Sequence, residues 1–254
     1  MSIVDKIKEH RNNVPKELEG IDELDSTTKD YMLYKFLKDN LNDYPYLLEE
    51  LPVYFMEEIL INEINSYNFE RYFTDNVIKK LNEGTGKLRT ILLNHIEYAN
   101  LIPKLTTEKN YMPSSIYFNN EEKWVSISKY LALFQSRYGK KELISFLNSF
   151  NDRNSCENLF KEMEDSDFFY NALFDDDDII ELVKGNFGKN LNNDSFSKLI
   201  SKMSSLDNPN KYMNLLLDNN IYDRCKKDIS VSYLTRLLFE KDVSLISDIN
   251  INNL

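Results

Sequence analysis

Apolar residues in this chain recur at steps of three and four far more often than they alternate, which is the period of helices with one buried face. After Glu121, the residues Trp124, Ile127, Leu131, Phe134 and Tyr138 fall on one stripe, and Gly139 follows where a helix would end. Leu143, Phe146, Leu147 and Phe150 repeat the pattern at once, predicting an antiparallel helix pair across a short turn. Leu88, Ile91, Leu92, Ile96 and Ala99 predict another helix that stops before Pro103. Ser26 is placed to cap a helix bearing Tyr31, Tyr34, Phe36 and Leu37, and Pro52 to open one bearing Phe55, Met56, Ile59 and Leu60. Toward the carboxyl end, Ser195, Pro209 and Ser230 each precede an apolar period and predict further capped helices.

Six glycines and six prolines are too few to punctuate a many-stranded sheet. The expected fold class is therefore all-α: an irregular multi-helix domain over residues 1–188, then a C-terminal helical extension or small subdomain over 189–254. The polar, Asn-rich stretch GKNLNND at 188–194 is the expected linker.

Composition changes this picture only in placing the protein. A hydrophobic share of 42% suffices for a real core. The opening MSIVDKIKEH has no apolar signal region, and no run approaches the roughly 18 apolar residues of a membrane span, so a soluble, cytoplasmic protein is expected. Two cysteines, Cys156 and Cys225, are too few for a disulfide framework and suit a reducing compartment.

Motifs for chemistry fail residue by residue. EGTGKLRT at 83–90 holds a Gly-Lys pair, but a phosphate loop would need glycine at Leu81 and a hydroxyl at Leu88, so a turn before a helix is the expected structure. Counted from Asp175, a calcium loop would need glycine at Ile180 and glutamate at Asn186. His10 and His95 are the only histidines, which leaves no signature for a zinc cluster or a Cys-His nucleophile. His95 sits at the edge of an apolar face and reads as structural, and the adjacent Glu57 and Glu58 read as a solvated helix face. No catalytic residue, metal or cofactor is expected.

Charge is the informative feature. Between Glu157 and Glu181 stand ten acidic residues against the single Lys161, a local charge of −9 that leaves only −2 of the chain's −11 to the other 229 residues. Such a field steers a basic partner and opposes direct nucleic-acid binding. The candidate contact residues are Glu162, Glu164, Asp165, Asp167, Asp175, Asp176, Asp177, Asp178 and Glu181. The competing structural reading is that one or two of Asp175 to Asp178 begin the helix carrying Ile179, Ile180, Leu182 and Val183.

One segment resembles a known family. Glu63, Asn65, Phe69, Tyr72, Phe73 and Asn76, within EINSYNFERYFTDN, match a signature of the DNA-mimic-protein-like family, a group of bacterial helical domains. Tyr67 and Asn68 or their neighbours replace its glycine pair, and Arg71 stands where glutamine is usual. The acidic and aromatic stretch at 163–187 is similar to the family's closing segment, so the resemblance spans about residues 50–188. It implies an all-helical domain and, by analogy, carboxylates that stand in for DNA phosphates against a repressor or nucleoid protein. Phe69, Tyr72 and Phe73 also read as core, and Glu63, Asn65 and Asn76 as turn residues. The expectation is a non-catalytic acidic protein that binds a basic protein, without direct nucleic-acid or membrane binding and with homodimerisation left open. An immunity or antitoxin protein covering a basic toxin is the alternative, and a helical enzyme with an unrecognised site a third.

Overall fold

The computed structural model describes residues 2–106, 110, 112–118, 123–203, 209–216 and 218–225. It is mostly helical, with one two-stranded sheet. These residues fall into two compact units: 2–106 form the first, 110–117 with 123 onward form the second, and Phe118 groups with the first. The polar stretch at 188–194 therefore lies inside the second unit, and the parting of the units lies far upstream of it.

The first unit comprises α1 (Ile3–His10), α2 (Ser26–Asn40), α3 (Val53–Asn62), α4 (Asp75–Leu81) and α5 (Lys87–Leu92), joined by short 3-10 segments. Asp25, not Ser26, caps α2, because its carboxylate takes both the Thr28 amide at 3.1 Å and the Thr28 hydroxyl at 2.7 Å. Pro52 stands at the N-cap of α3, one residue outside it. The stripe from Leu88 to Ala99 is not one helix: α5 ends at Leu92, and a 3-10 segment Ile96–Lys104 follows with Pro103 inside it. The tighter 3-10 winding tolerates a ring that an α-helix interior would reject. As the turn reading of EGTGKLRT requires, Gly86 adopts φ 75° directly before α5.

The two-stranded sheet is β1 (Ser115–Phe118), of the second unit except for Phe118, and β2 (Lys123–Ser126), and in the second unit there follow α6 (Ile127–Tyr138), α7 (Lys140–Asn148), α8 (Arg153–Asp165), α9 (Phe168–Asn171), α10 (Asp176–Lys184), α11 (Asn186–Asn190), α12 (Asn193–Ser201), α13 (Pro209–Leu216) and α14 (Asn219–Cys225). Trp124 is on β2 rather than the α6 stripe; it is 69% exposed and its ring centroid lies 5.4 Å from that of Tyr117. Ser126 ends the strand by capping α6 through the Lys129 amide. From Ile127 on, the stripe holds. Gly139, at φ 88°, is the whole connection between α6 and α7. Across it Tyr130, Phe134, Phe146 and Phe150 are fully buried, with Phe134 and Phe146 centroids 4.6 Å apart.

The expected linker is two helix ends. Gly188 lies in α11, where a Cβ would meet the Val183 carbonyl at 2.5 Å, Leu191 is buried, and Asn192, not Ser195, caps α12. Arg224 of α14 donates to the carbonyls of Gly188 at 3.1 Å and Leu191 at 2.6 Å while lying 3.6 Å over the Phe196 ring. The described residues 189–203, 209–216 and 218–225 thus belong to the second unit. Pro209 opens α13 as expected, and the helix expected after Ser230 lies outside the described residues.

Candidate functional site

Tracing the acidic segment through α8, α9 and α10 sorts its carboxylates into engaged and open groups. Asp175 caps α10 in a reciprocal box: its side chain accepts from the Asp178 amide at 3.1 Å, and the Asp178 side chain accepts from the Asp175 amide at 2.8 Å. Lys140 pairs with both, at 3.0 Å from Asp175 and 2.5 Å from Asp178, and holds the Asp175 carboxyl below its ordinary range. Asp176 is buried. Asp177 pairs with Lys211 at 2.6 Å, and Glu164 faces Lys202 at 3.5 Å and Lys198 at 3.9 Å. Glu157 accepts from the Asn192 and Ser195 side chains, both at 2.7 Å. The aspartate run begins a helix, and two lysines of the second unit, Lys140 and Lys211, answer part of its charge.

Asp175 and Asp177 are exposed despite their pairs, and a smaller set of carboxylates stands outside the ion pairs. Asp165, Asp167 and Glu181 are exposed and Glu162 is half-buried, and none of these forms an ion pair among the described residues. Asp167 and Leu173 bracket α9, and both have left-handed backbones, φ 52° and φ 54°. For a leucine this conformation costs on the order of 1–2 kcal/mol. It leaves Leu173 79% exposed. The Leu173 carbonyl accepts from Lys140 at 3.4 Å, and the preceding Ala172 carbonyl accepts from Gln135 of α6 at 2.9 Å, which holds the turn in place.

Between α6 and this turn lies an open groove of about 620 Å³, whose lining includes Ala132, Gln135, Ser166, Phe168 and Ala172. Ser166 and Phe168 are the chain neighbours of Asp165 and Asp167. The groove is also lined by Lys129 and by no carboxylate, so the acidic segment adjoins this partly apolar cleft only through Ser166 and Phe168. The sequence pointed to Asp165, Asp167, Glu162 and Glu181, and gave no sign of Leu173 or Gln135.

The family-signature residues fall in the first unit. Phe69 and Tyr72 are buried, and Phe73 stacks edge-on against Phe69 at 5.2 Å. Asn68 supplies the left-handed turn, φ 61°, as asparagine does where glycine is absent. Glu63 is the C-cap residue of α3, and Asn65 is exposed. Asn76 does not close its own turn; its amide donates to Glu49 at 2.8 Å. These residues build the fold of the first unit.

Glu57 departs from its reading as a solvated residue. It is 4% exposed and accepts from the Thr85 hydroxyl at 2.9 Å and the Leu88 amide at 3.4 Å, closing the turn before α5. The signal was present, since Val53, Met56, Glu57 and Leu60 fall on one stripe of α3. His95 is buried with Nδ1 3.3 Å from Glu97. Both cysteines are free and buried, and burial pushes the Cys156 thiol up to about 12. Among the described residues, no group of three or more His, Cys, Asp or Glu side chains is arranged to hold a metal ion, and no helix is long and apolar enough to cross a membrane.

Comparison of the chain with known protein families, curated proteins and solved structures gives no match.

Proposed function

We propose that this is a non-catalytic binding protein whose second unit engages a basic surface on a partner protein, with Asp165, Asp167 and Glu181 as the charged contacts and Leu173 as the apolar one. The observation that carries this reading is Leu173 itself: a bulky side chain held in a costly backbone conformation, pushed into solvent beside open carboxylates and a cleft. Strain of this kind persists where surrounding bonds enforce it, and it clusters at clamps and binding turns. An apolar centre with a charged rim is also the anatomy of protein interfaces.

The narrower DNA-mimic version calls for an unbroken row of negative charge in place of phosphates. Lys140, Lys198, Lys202 and Lys211 interrupt the row, which favours the broader reading of a basic protein partner. An immunity protein covering a basic toxin would use the same face, and the partner's identity separates the two.

The test is to recover partners from the source cell, purify the basic ones and measure rebinding. Association with the wild-type chain should weaken steeply between about 0.1 M and about 1 M salt, as the screening length falls from about 10 Å to about 3 Å. The triple substitution Asp165→Asn, Asp167→Asn, Glu181→Gln should slow association by about 10-fold, whereas Asp177→Asn should change it little. Binding that ignores both salt and the triple substitution would refute the reading.

A further inference from the structure

The first unit carries a surface that the acidic segment does not explain. On α2, Tyr31, Tyr34, Lys35 and Lys38 stand at i, i+3, i+4 and i+7, one continuous stripe. Against it α3 sets Phe55, stacked on Tyr34 at 4.6 Å, and Tyr54, 5.6 Å from Phe55. Its outer rings are open to solvent, with Tyr31 52% and Tyr54 65% exposed, while Tyr34 between them is buried. The Tyr34 hydroxyl is spent on Glu58, which fixes the middle of the stripe.

Two lysines complete it. Lys35 lies 5.9 Å over the Tyr31 ring and Lys38 5.9 Å over the Tyr34 ring, and neither forms an ion pair among the described residues. In a chain with 42 acidic residues against 31 basic ones, lysines such as Lys6, Lys29 and Lys140 each reach a carboxylate. Lys35 and Lys38, one helical turn apart over aromatic rings and exposed, differ from these in leaving their charge open to solvent.

We propose that this stripe is a second docking surface, one that takes an acidic peptide segment of a partner protein. A partner carboxylate seats between Lys35 and Lys38, and a neighbouring apolar side chain lies on Tyr31 and Tyr54. Charge complementarity selects the acid, and tyrosine rings on two rigid helices supply contact area at little conformational cost. Aromatic rings beside lysines also suit single-stranded nucleic acid. Two lysines beside Glu58, on a chain of net charge −11, offer too little counterion release for that class of partner.

The test pans a random-peptide display library on the full chain and measures the enriched peptides by fluorescence anisotropy. Peptides joining Asp or Glu to an apolar residue should be enriched. Lys35→Glu with Lys38→Glu should weaken them by about 10-fold or more, and Tyr31→Ala with Tyr54→Ala should do the same. All four positions lie on the helix exterior, so both variants should melt as the wild type does. Asp165→Asn with Asp167→Asn should leave these peptides bound, which separates this surface from the acidic face of the second unit. The proposal is overturned if no acidic peptide is enriched, if enriched peptides bind the lysine variant equally well, or if a thymidine oligonucleotide binds through Lys35 and Lys38 instead.

Discussion

The side chain of Asn148 occupies the space in which a side chain at Gly185 would begin. A Cβ at 185 would come within 2.0 Å of Asn148 Oδ1, the same oxygen that accepts from the Phe187 amide at 3.2 Å. The end of α7 thereby fixes the joint between α10 and α11.

Gly185→Ala should therefore destabilise the protein by about 1–3 kcal/mol, the usual cost of overpacking. Asn148→Ala removes the obstacle together with an acceptor. The double variant should lose less than the two single losses combined, and urea unfolding of all three measures that coupling.

Leu173→Gly separates fold from function. Glycine accepts φ 54° freely, so the variant should be more stable by up to about 1 kcal/mol, while partner binding should weaken because the exposed apolar group is gone. Thermal melting and binding read on one sample give the two answers. A variant that loses stability would mean that Leu173 serves packing.

Acid should unfold the first unit partly through Asp22. Partial burial pushes its carboxyl up, but the Lys29 ammonium at 2.6 Å and the amides of Val4 and Ile3 outweigh this and bring it down to about 2 from an ordinary 3.8. A lowered folded value means stability that is present above the unfolded value and lost as pH falls through the folded one, here from about 4 toward about 2. Asp22→Asn should cost up to about 2 kcal/mol at neutral pH and flatten that part of the stability curve. Chemical denaturation at stepped pH checks both.

Glu57→Ala should cost on the order of 1–3 kcal/mol, since the Thr85 hydroxyl and the Leu88 amide both lose their acceptor in a buried site. Glu57→Gln keeps an acceptor oxygen and should recover part of that loss in the same unfolding assay.

Which features were legible in the sequence follows from how local their causes are. Gly139, the α6 and α7 stripes, the turn at Gly86 and the helix start at Asp175 depend on residues within a few positions of one another. Trp124 misled because its three-residue step to Ile127 matches the helical period, although the Ser126 cap between them ends a strand and begins the helix. GKNLNND reads as a linker by polarity, yet Gly188 is there for close backbone packing and Asn192 for capping. The lysine partners of the acidic run come from α7, the end of α12 and α13, at separations of 34 and 35 residues for Lys211 and Lys140. No local pattern could have shown that part of this charge was already answered.

Gly139 also bears on how quickly the second unit can form. Joining α6 to α7 through one residue makes the loop-closure entropy small, and the four aromatic rings that meet across it are at most twenty residues apart in the chain. Such short-range contacts can assemble before any pairing that spans the unit, which marks the helix pair as a folding nucleus. Truncating Phe134 or Phe146 should then slow refolding, whereas loss of the distant Arg224 clasp should mainly speed unfolding.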